Sequence, residues 1–361
     1  MRNVSGVRMF AWSVIALTLG ILSIASLLPL LGTDWWLIRM MDFPRLQFLF
    51  ALIIVLPATL LLSPKAALSG AAGLIGVCAI TYNIYKLASF TPPAVEVAAT
   101  VVECSPGSRV RVLVANVHRG NEGAEELIEI IRKTEPDLFL AVETDEWWDM
   151  ALRQLEPIFA EKVQQVAGAR SYFGMHLFSK FRLLDTKILF PVGDHVPAIK
   201  TAVRLPGGET ISFYGIHPRP PGLFQSSTMR DAQLLSAGLA ARETDIPTVL
   251  AGDFNAVPWD HVFSRTLRTG GLLDPRIGRG FMPTFSAQNW LMSWPLDHIL
   301  FTEEIGLMRL QRLPSFGSDH YPLLTDLCHM PSLATVQEAP GLESSDVEEA
   351  EAVIRMALEG R

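Results

Sequence analysis

From Met9 to Leu31 the chain runs 23 residues without a charge. Coiled as a helix at about 1.5 Å per residue, that stretch is long enough to cross a hydrocarbon layer of about 30 Å. A second apolar run, Leu46 to Ser63, is shorter and contains Pro57, and a third, Ala66 to Tyr85, follows a Ser63-Pro64-Lys65 turn. Trp35 and Trp36 stand just past the first run, where indole rings suit a membrane interface. None of the three runs carries the polar stripe that a surface helix turns to water. A cleaved signal peptide has an apolar stretch of roughly 7–15 residues, shorter than the first run here, and would leave two more unexplained. The expectation is a membrane anchor over residues 1–86 with three transmembrane helices, touching the lipid bilayer through residues 9–85.

Charge sets the orientation only weakly. Arg2, Arg8 and Lys65 lie on one side of the spans, and Arg39, Arg45 and Lys86 on the other. The amino group at the start tips the balance towards a cytoplasmic N-terminus, which puts everything after Tyr85 outside the cytoplasm. The expected location is the inner membrane, multi-pass, with an extracytoplasmic domain. Cys104 and Cys328 suit a disulfide in an oxidising compartment, and equally suit two unrelated thiols. Cys78 falls inside the third span.

Residues 87–108, with Thr91-Pro92-Pro93 and Ser105-Pro106-Gly107-Ser108, read as a linker. Over 109–330, short β-branched or apolar runs alternate with amphipathic helical stretches. Strand-like runs are Arg109–Val117, Leu138–Glu143, Thr210–His217, Pro247–Asn255, Leu296–Thr302 and Tyr321–Leu327. Between the first two, Glu122–Asp137 places Leu127, Ile130 and Ile131 on one helical face and stops at Pro136. Strands interleaved with helices predict an α/β fold. The tail 331–361 holds seven acidic residues against Arg355 and Arg361, and reads as solvated and disordered, with one marginal helix from Ser344.

A strand that ends on a usable polar side chain is the recurring motif. Asn116, Glu143 and His217 close three runs; Asp253 and Asn255 close a fourth; Asp297 opens a fifth, and Asp319 and His320 precede the last. Residues two apart in a strand share a face, so Asp253 and Asn255 are expected to look into one pocket while Phe254 turns to the core. Any one of these, alone, is more simply a turn former or a satisfied core residue.

Their order is what carries meaning. "AGDFNAVP", "LDHILF" and "GSDHYPLL", supported upstream by "VANV", "EPDLFLAVE" and "GIHPRPP", resemble the endonuclease/exonuclease/phosphatase (DNase I-like) superfamily over residues 109–328. The resemblance implies a four-layer α/β sandwich, two packed β-sheets flanked by helices, and cleavage of phosphate esters with Mg2+ or Mn2+. It implies Glu143, Asn116 and Asp319 at the metal, His320 as catalytic base with Asp297 fixing its tautomer, and Asp253 managing a proton. Asn255 would hold a phosphoryl oxygen, and His217 would neutralise developing charge. Two departures stand out: His118 occupies a position where nucleases of this family carry an acid or amide, and "FSKFRLL" keeps Ser179 but has Lys180 and no proline. Asn121 is a further candidate contact.

Residues 109–330 contain 22 Lys/Arg against 26 Asp/Glu, so a nucleic-acid partner is not favoured by charge, although Arg219, Arg230 and Lys180 were free to cluster. The anchor instead holds lipid head groups at high local concentration, and Leu223, Phe224, Trp290 and Trp294 fall in loops expected beside the site. The reading is a membrane-anchored phosphodiesterase or phosphatase on a lipid or small phosphoester. An extracytoplasmic nuclease is the alternative enzyme, and a catalytically silent binding module the alternative class.

Overall fold

The computed structural model describes residues 2–168, 171–193, 195–222 and 225–360. Leu223 and Phe224 lie outside the described residues. The chain forms two compact units, residues 1–94 with 221–227 and residues 95–220 with 228–361.

In the first unit, α1 (Arg2–Leu27), α2 (Trp36–Met40), α3 (Arg45–Leu62) and α4 (Ala66–Leu87) contain three helices long and apolar enough to cross a membrane. Leu19, Leu52, Leu56 and Ala79 are buried among them. Gly76 allows the close approach: a Cβ there would lie 2.7 Å from Leu56 Cδ1. Arg45 is buried at the start of α3 and is fully engaged, which an apolar setting demands. Its guanidinium donates to Asp42 Oδ1 at 2.6 and 2.9 Å and to the Ser26 carbonyl at 3.3 Å. Asn83 joins by accepting from Arg45 and donating to Ser26 Oγ at 2.9 Å. The segment 221–227 belongs to this unit, although the sequence reading placed it in the domain 109–330; the Ser227 N–H donates to the Asp34 carbonyl at 2.9 Å.

The second unit is a four-layer α/β sandwich. Its strands are β1 (Arg109–Asn116), β2 (Leu138–Val142), β3 (Glu161–Gln165), β4 (Met175–Ser179), β5 (Arg182–Leu189), β6 (Ala198–Arg204), β7 (Thr210–Ile216), β8 (Thr248–Asp253), β9 (Asp297–Phe301), β10 (Ile305–Arg312) and β11 (Leu323–His329). Six form one sheet in the order β10-β11-β1-β2-β4-β3, and five form the other, β5-β6-β7-β8-β9. Central strands are buried on both faces. Val110, Val112 and Val114 of β1 point at the opposite sheet, while Leu113 and Ala115 meet α5 (Ala124–Thr134) and α6 (Glu146–Leu152). On α5 the residues fully buried are Leu127, Ile128 and Ile131, with Ile130 only packed at the margin. Glu135, at φ 49°, ends that helix one residue before Pro136. Beyond the second sheet lie α7 (Thr228–Arg242) and α8 (His261–Gly270).

Two boundaries differ from the expectation. The segment expected as a linker is partly folded: Val101 N–H donates to the Leu307 carbonyl at 2.8 Å, and Leu307 N–H to Ala99 at 3.0 Å. Cys104 and Cys328 are joined by a disulfide. The tail is not solvated throughout. Residues Asp346–Glu359 form α9, whose Ala350 and Ala357 are buried against the second unit. Composition hid this because the acidic residues do the docking. Asp346, only 1% exposed, accepts from Arg268 at 2.6 and 2.7 Å and from the Glu343 N–H at 2.9 Å.

The Arg268 hydrogen bond holds the Asp346 carboxyl down to about 2, against the opposing effect of its burial. A depressed folded-state value means the ion pair stabilises the fold above the unfolded value of 3.8 and ceases to as pH falls from there through about 2. Asp346→Asn is expected to weaken docking of α9 by about 1–3 kcal/mol. Limited proteolysis at neutral pH should then cut faster within 331–345, and the unaltered chain should show the same sensitivity only below about pH 3.

Candidate active site

The apolar face between the two sheets does not stop where the strands stop; it turns polar. Val112 and Val114 lead by twos to Asn116, Ile211 and Phe213 to His217, and Val249 and Ala251 to Asp253. Asp297 heads the row of Ile299 and Phe301. Pairing then gathers the ends. β1 and β2 run parallel with Asn116 opposite Val142, so Asn116 and Glu143 emerge side by side. β7 and β8 run parallel with Ile216 opposite Gly252, which brings His217 beside Asp253. β8 and β9 run antiparallel with Asp253 directly opposite Asp297.

Glu143 is one residue out of phase with this face, and its φ of 65° turns it back in. Gly252 has φ 147°, and a Cβ there would lie 1.8 Å from the Ile216 carbonyl oxygen, so only glycine lets β8 run this close to β7 at the site.

One amide nitrogen organises the centre. Asn116 Nδ2 donates to Glu143 Oε1 at 2.8 Å and to Asp253 Oδ2 at 2.9 Å. His217 Nε2 lies 3.8 Å from each of the same two oxygens. His320 Nδ1 meets Asp297 Oδ2 at 2.7 Å, and its Nε2 faces Asp253 Oδ2 at 3.7 Å. Six side chains scattered from 116 to 320 therefore share one cluster, all buried except Glu143, which is partly exposed. Asp319 sits at the rim with Oδ1 3.3 Å from His118 Nδ1, and His118 Nδ1 is also 3.8 Å from Glu143 Oε2. The position that departs from the nuclease pattern thus stands at the rim of the polar cluster.

Burial of the His320 ring disfavours its charged form, but the Asp297 and Asp253 carboxylates outweigh that and raise it to about 10. Burial also pushes the Asp253 carboxyl up. The raised imidazole means that its ion pairs stabilise the fold below the unfolded value of 6.5, and that this contribution fades as pH rises through about 10.

Several expected contacts fall elsewhere. Asn255 is past the end of β8, with φ 49°; its Nδ2 donates to the Pro218 carbonyl at 3.0 Å and its N–H to Asp253 Oδ1 at 2.9 Å. It does not share a strand face with Asp253, because the chain turns there, although Phe254 is buried as expected. The Asn121 side chain closes its own turn, donating to Val117 and accepting from Gly123. Ser179 pairs with Leu138, at the opposite end of β2 from Glu143. The basic cluster does not form: Arg230 is buried with Asp231 and Asp260, and Lys180 donates to the Glu135 carbonyl.

Other residues at the site gave no signal in the sequence. Thr284 Oγ1 accepts from the N–H groups of Leu296 and Asp297, both at 3.1 Å, and so fixes where Asp297 starts. Ser318 Oγ donates to the Asn116 carbonyl at 2.8 Å and accepts from the His320 N–H at 3.0 Å, tying the last loop to β1. The Phe173 ring lies 5.6 Å from His217, and the Phe285 ring 5.0 Å from His320.

The donor set fits a divalent cation. Glu143, His217 and Asp253 each offer a ligand atom within 4.8 Å of the others, and two carboxylates converge on one amide nitrogen, a repulsion that a hard cation relieves.

The endonuclease/exonuclease/phosphatase family model matches residues 81–320. The chain belongs to that family. It is accordingly a hydrolase of phosphate esters, in a family whose chemistry depends on a divalent metal. Solved structures agree in fold. A family member from Beutenbergia cavernae is 16% identical with a TM-score of 0.52, covering 62% of this chain and 72% of its own. D. rerio TDP2 complexed with a single-strand DNA product is 15% identical with a TM-score of 0.51, covering 61% and 99%. The human Nocturnin catalytic domain with a bound sulfate anion is 18% identical with a TM-score of 0.50, covering 62% and 95%. No curated protein matches the sequence.

Two substitutions probe this geometry. Gly252→Ala should cost about 3 kcal/mol of stability, seen as a lowered unfolding midpoint, since β8 has to move off β7. Asp297→Asn should bring the His320 titration, followed by NMR, down from its value of about 10 and slow turnover by about 10²–10⁴-fold without unfolding the protein.

Proposed function

We propose that this family member is a membrane-anchored phosphodiesterase or phosphatase that uses Mg2+ or Mn2+ and acts on a lipid or another small phosphoester. The observation that carries this reading is the meeting of Asn116, Glu143, His217, Asp253, Asp297 and His320 in one cluster. Glu143, the one partly exposed member, would hold the cation, with Asn116 beside it and Asp319 at its water shell. Bound there, a divalent cation supplies positive charge to the phosphoryl oxygens.

The chain's own groups divide the rest of the work. Asp253, central and made more basic by burial, takes the proton of the attacking water. His320, oriented through Nδ1 by Asp297, presents Nε2 towards Asp253, so the two handle that proton as a pair. The Asp297 and Asp253 carboxylates favour the charged form of His320, which supports Asp253 rather than His320 as the base. His217 donates to a phosphoryl oxygen, and Asn255 fixes the loop that follows Asp253.

The three apolar helices support a multi-pass location in the inner membrane, and the Cys104–Cys328 disulfide supports an extracytoplasmic second unit. The likeness in fold to TDP2 bound to a DNA product keeps a nuclease as the second reading, against the excess of acidic residues over 109–330.

Full-length protein should hydrolyse bis(p-nitrophenyl) phosphate with Mg2+ or Mn2+, stop on chelation, and lose about 10²-fold or more in Glu143→Gln and His320→Ala. A folded, metal-supplied chain inert on a phosphoester panel refutes the reading. Plasmid nicking that outpaces release of phosphorylated head groups from vesicles selects the nuclease instead. A reporter fused after Arg361 should be active only outside the cytoplasm.

A further inference from the structure

Immediately beside His320 the chain makes an excursion that the chemistry does not use. Phe285 and Trp294 pair across its base, with Phe285 N–H donating to the Trp294 carbonyl at 2.9 Å and the rings stacked 5.9 Å apart. The base is fixed to the site: Ala287 N–H donates to the Asp319 carbonyl at 2.7 Å, and Tyr321 Oη to the Ala287 carbonyl at 3.2 Å. At the tip, Trp290–Met292 form a 3-10 turn that Asn289 caps by accepting from the N–H groups of Leu291 and Met292 at 3.1 and 3.4 Å. The tip is therefore preformed, and it faces outward. Trp290 is 84% exposed, Leu291 56% and Met292 46%.

Exposed apolar side chains in succession on a capped turn are costly in water. From Phe281 to Leu296 no residue is charged, and the tip is flanked by Gln288, Asn289 and Ser293. An indole among neutral polar side chains is the composition of a membrane interface, whereas a protein-docking loop usually draws on charge for register. The anchor reading also keeps a bilayer near the second unit. The third apolar helix ends at Phe90 and the second unit begins at Val95, a tether of about 17 Å at full extension.

We propose that the loop Ser286–Trp294 is an interfacial docking element that inserts Trp290, Leu291 and Met292 among lipid head groups. Because its base is bonded to Asp319 and abuts His320, docking turns that rim of the site towards phosphoesters presented in the bilayer. The inference rests on the membrane-anchored hydrolase reading.

The test uses full-length protein in phosphatidylcholine nanodiscs, with Cys78→Ser and Trp290→Cys and a nitrobenzoxadiazole label at 290; Cys104 and Cys328 stay bridged. Doxyl-labelled lipid should quench this probe at least about three-fold more than aqueous iodide does. Quenching by iodide and not by lipid overturns the proposal, as does a probe shielded from both, which would mark a protein partner or a second copy. Turnover of bis(p-nitrophenyl) phosphate by the same variant should stay within about two-fold of the unaltered chain, since no residue changed touches the reacting atoms. If neither chain turns over that substrate, the hydrolase reading fails while the quenching result still decides the fate of the loop.

Discussion

Packing of two sheets through one shared apolar face is the constraint on which the rest depends. Valines, isoleucines and phenylalanines of both sheets fill that face, and its strand ends carry the polar groups as the same rows continued by one step. Burial and reactivity are thus parts of one pattern. Strands fixed on both sides cannot shift their ends, so Asn116 can bridge Glu143 and Asp253 with a single nitrogen. A loop-borne site would have to spend ordering entropy to do the same.

The sequence was readable where a strand is buried and ends on chemistry. β1, β2, β7, β8, β9 and β11 all coincide with apolar runs of the sequence, within a few residues at each end. β3, β5 and β10 escaped because they lie towards sheet margins and mix exposed with buried positions, so neither alternation nor an apolar run betrays them. β4 and β6 were hidden by polar residues inside them, His176 in one and Lys200 and Thr201 in the other. His176 is satisfied there by Thr144 and Asp149 at 2.9 and 3.0 Å, a partnership no local window contains.

At the site, order along the chain pointed to the residues, but only geometry gave their relations. That Asp253 lies opposite Asp297 follows from strand register. That Asn255 leaves the strand follows from a backbone turn at φ 49°, invisible to a rule of twos. Thr284 and Ser318 were unreadable because each acts on backbone N–H or carbonyl groups, which every residue offers. The acidic tail holds the helix expected from Ser344, but its docking was not legible: charge density suggested solvation, whereas Arg265 and Arg268 on α8 receive it.

The bond between Cys104 and Cys328 gains meaning from what stands at the two ends of β11. One end is stapled; the other begins three residues after His320. Arg109 sits opposite Cys328 in the ladder between β1 and β11, so a slip of one residue would reverse every side chain of β11 and carry the imidazole away from Asp297. The disulfide at the far end of β11 thus adds a covalent constraint to the register of the strand that follows the histidine.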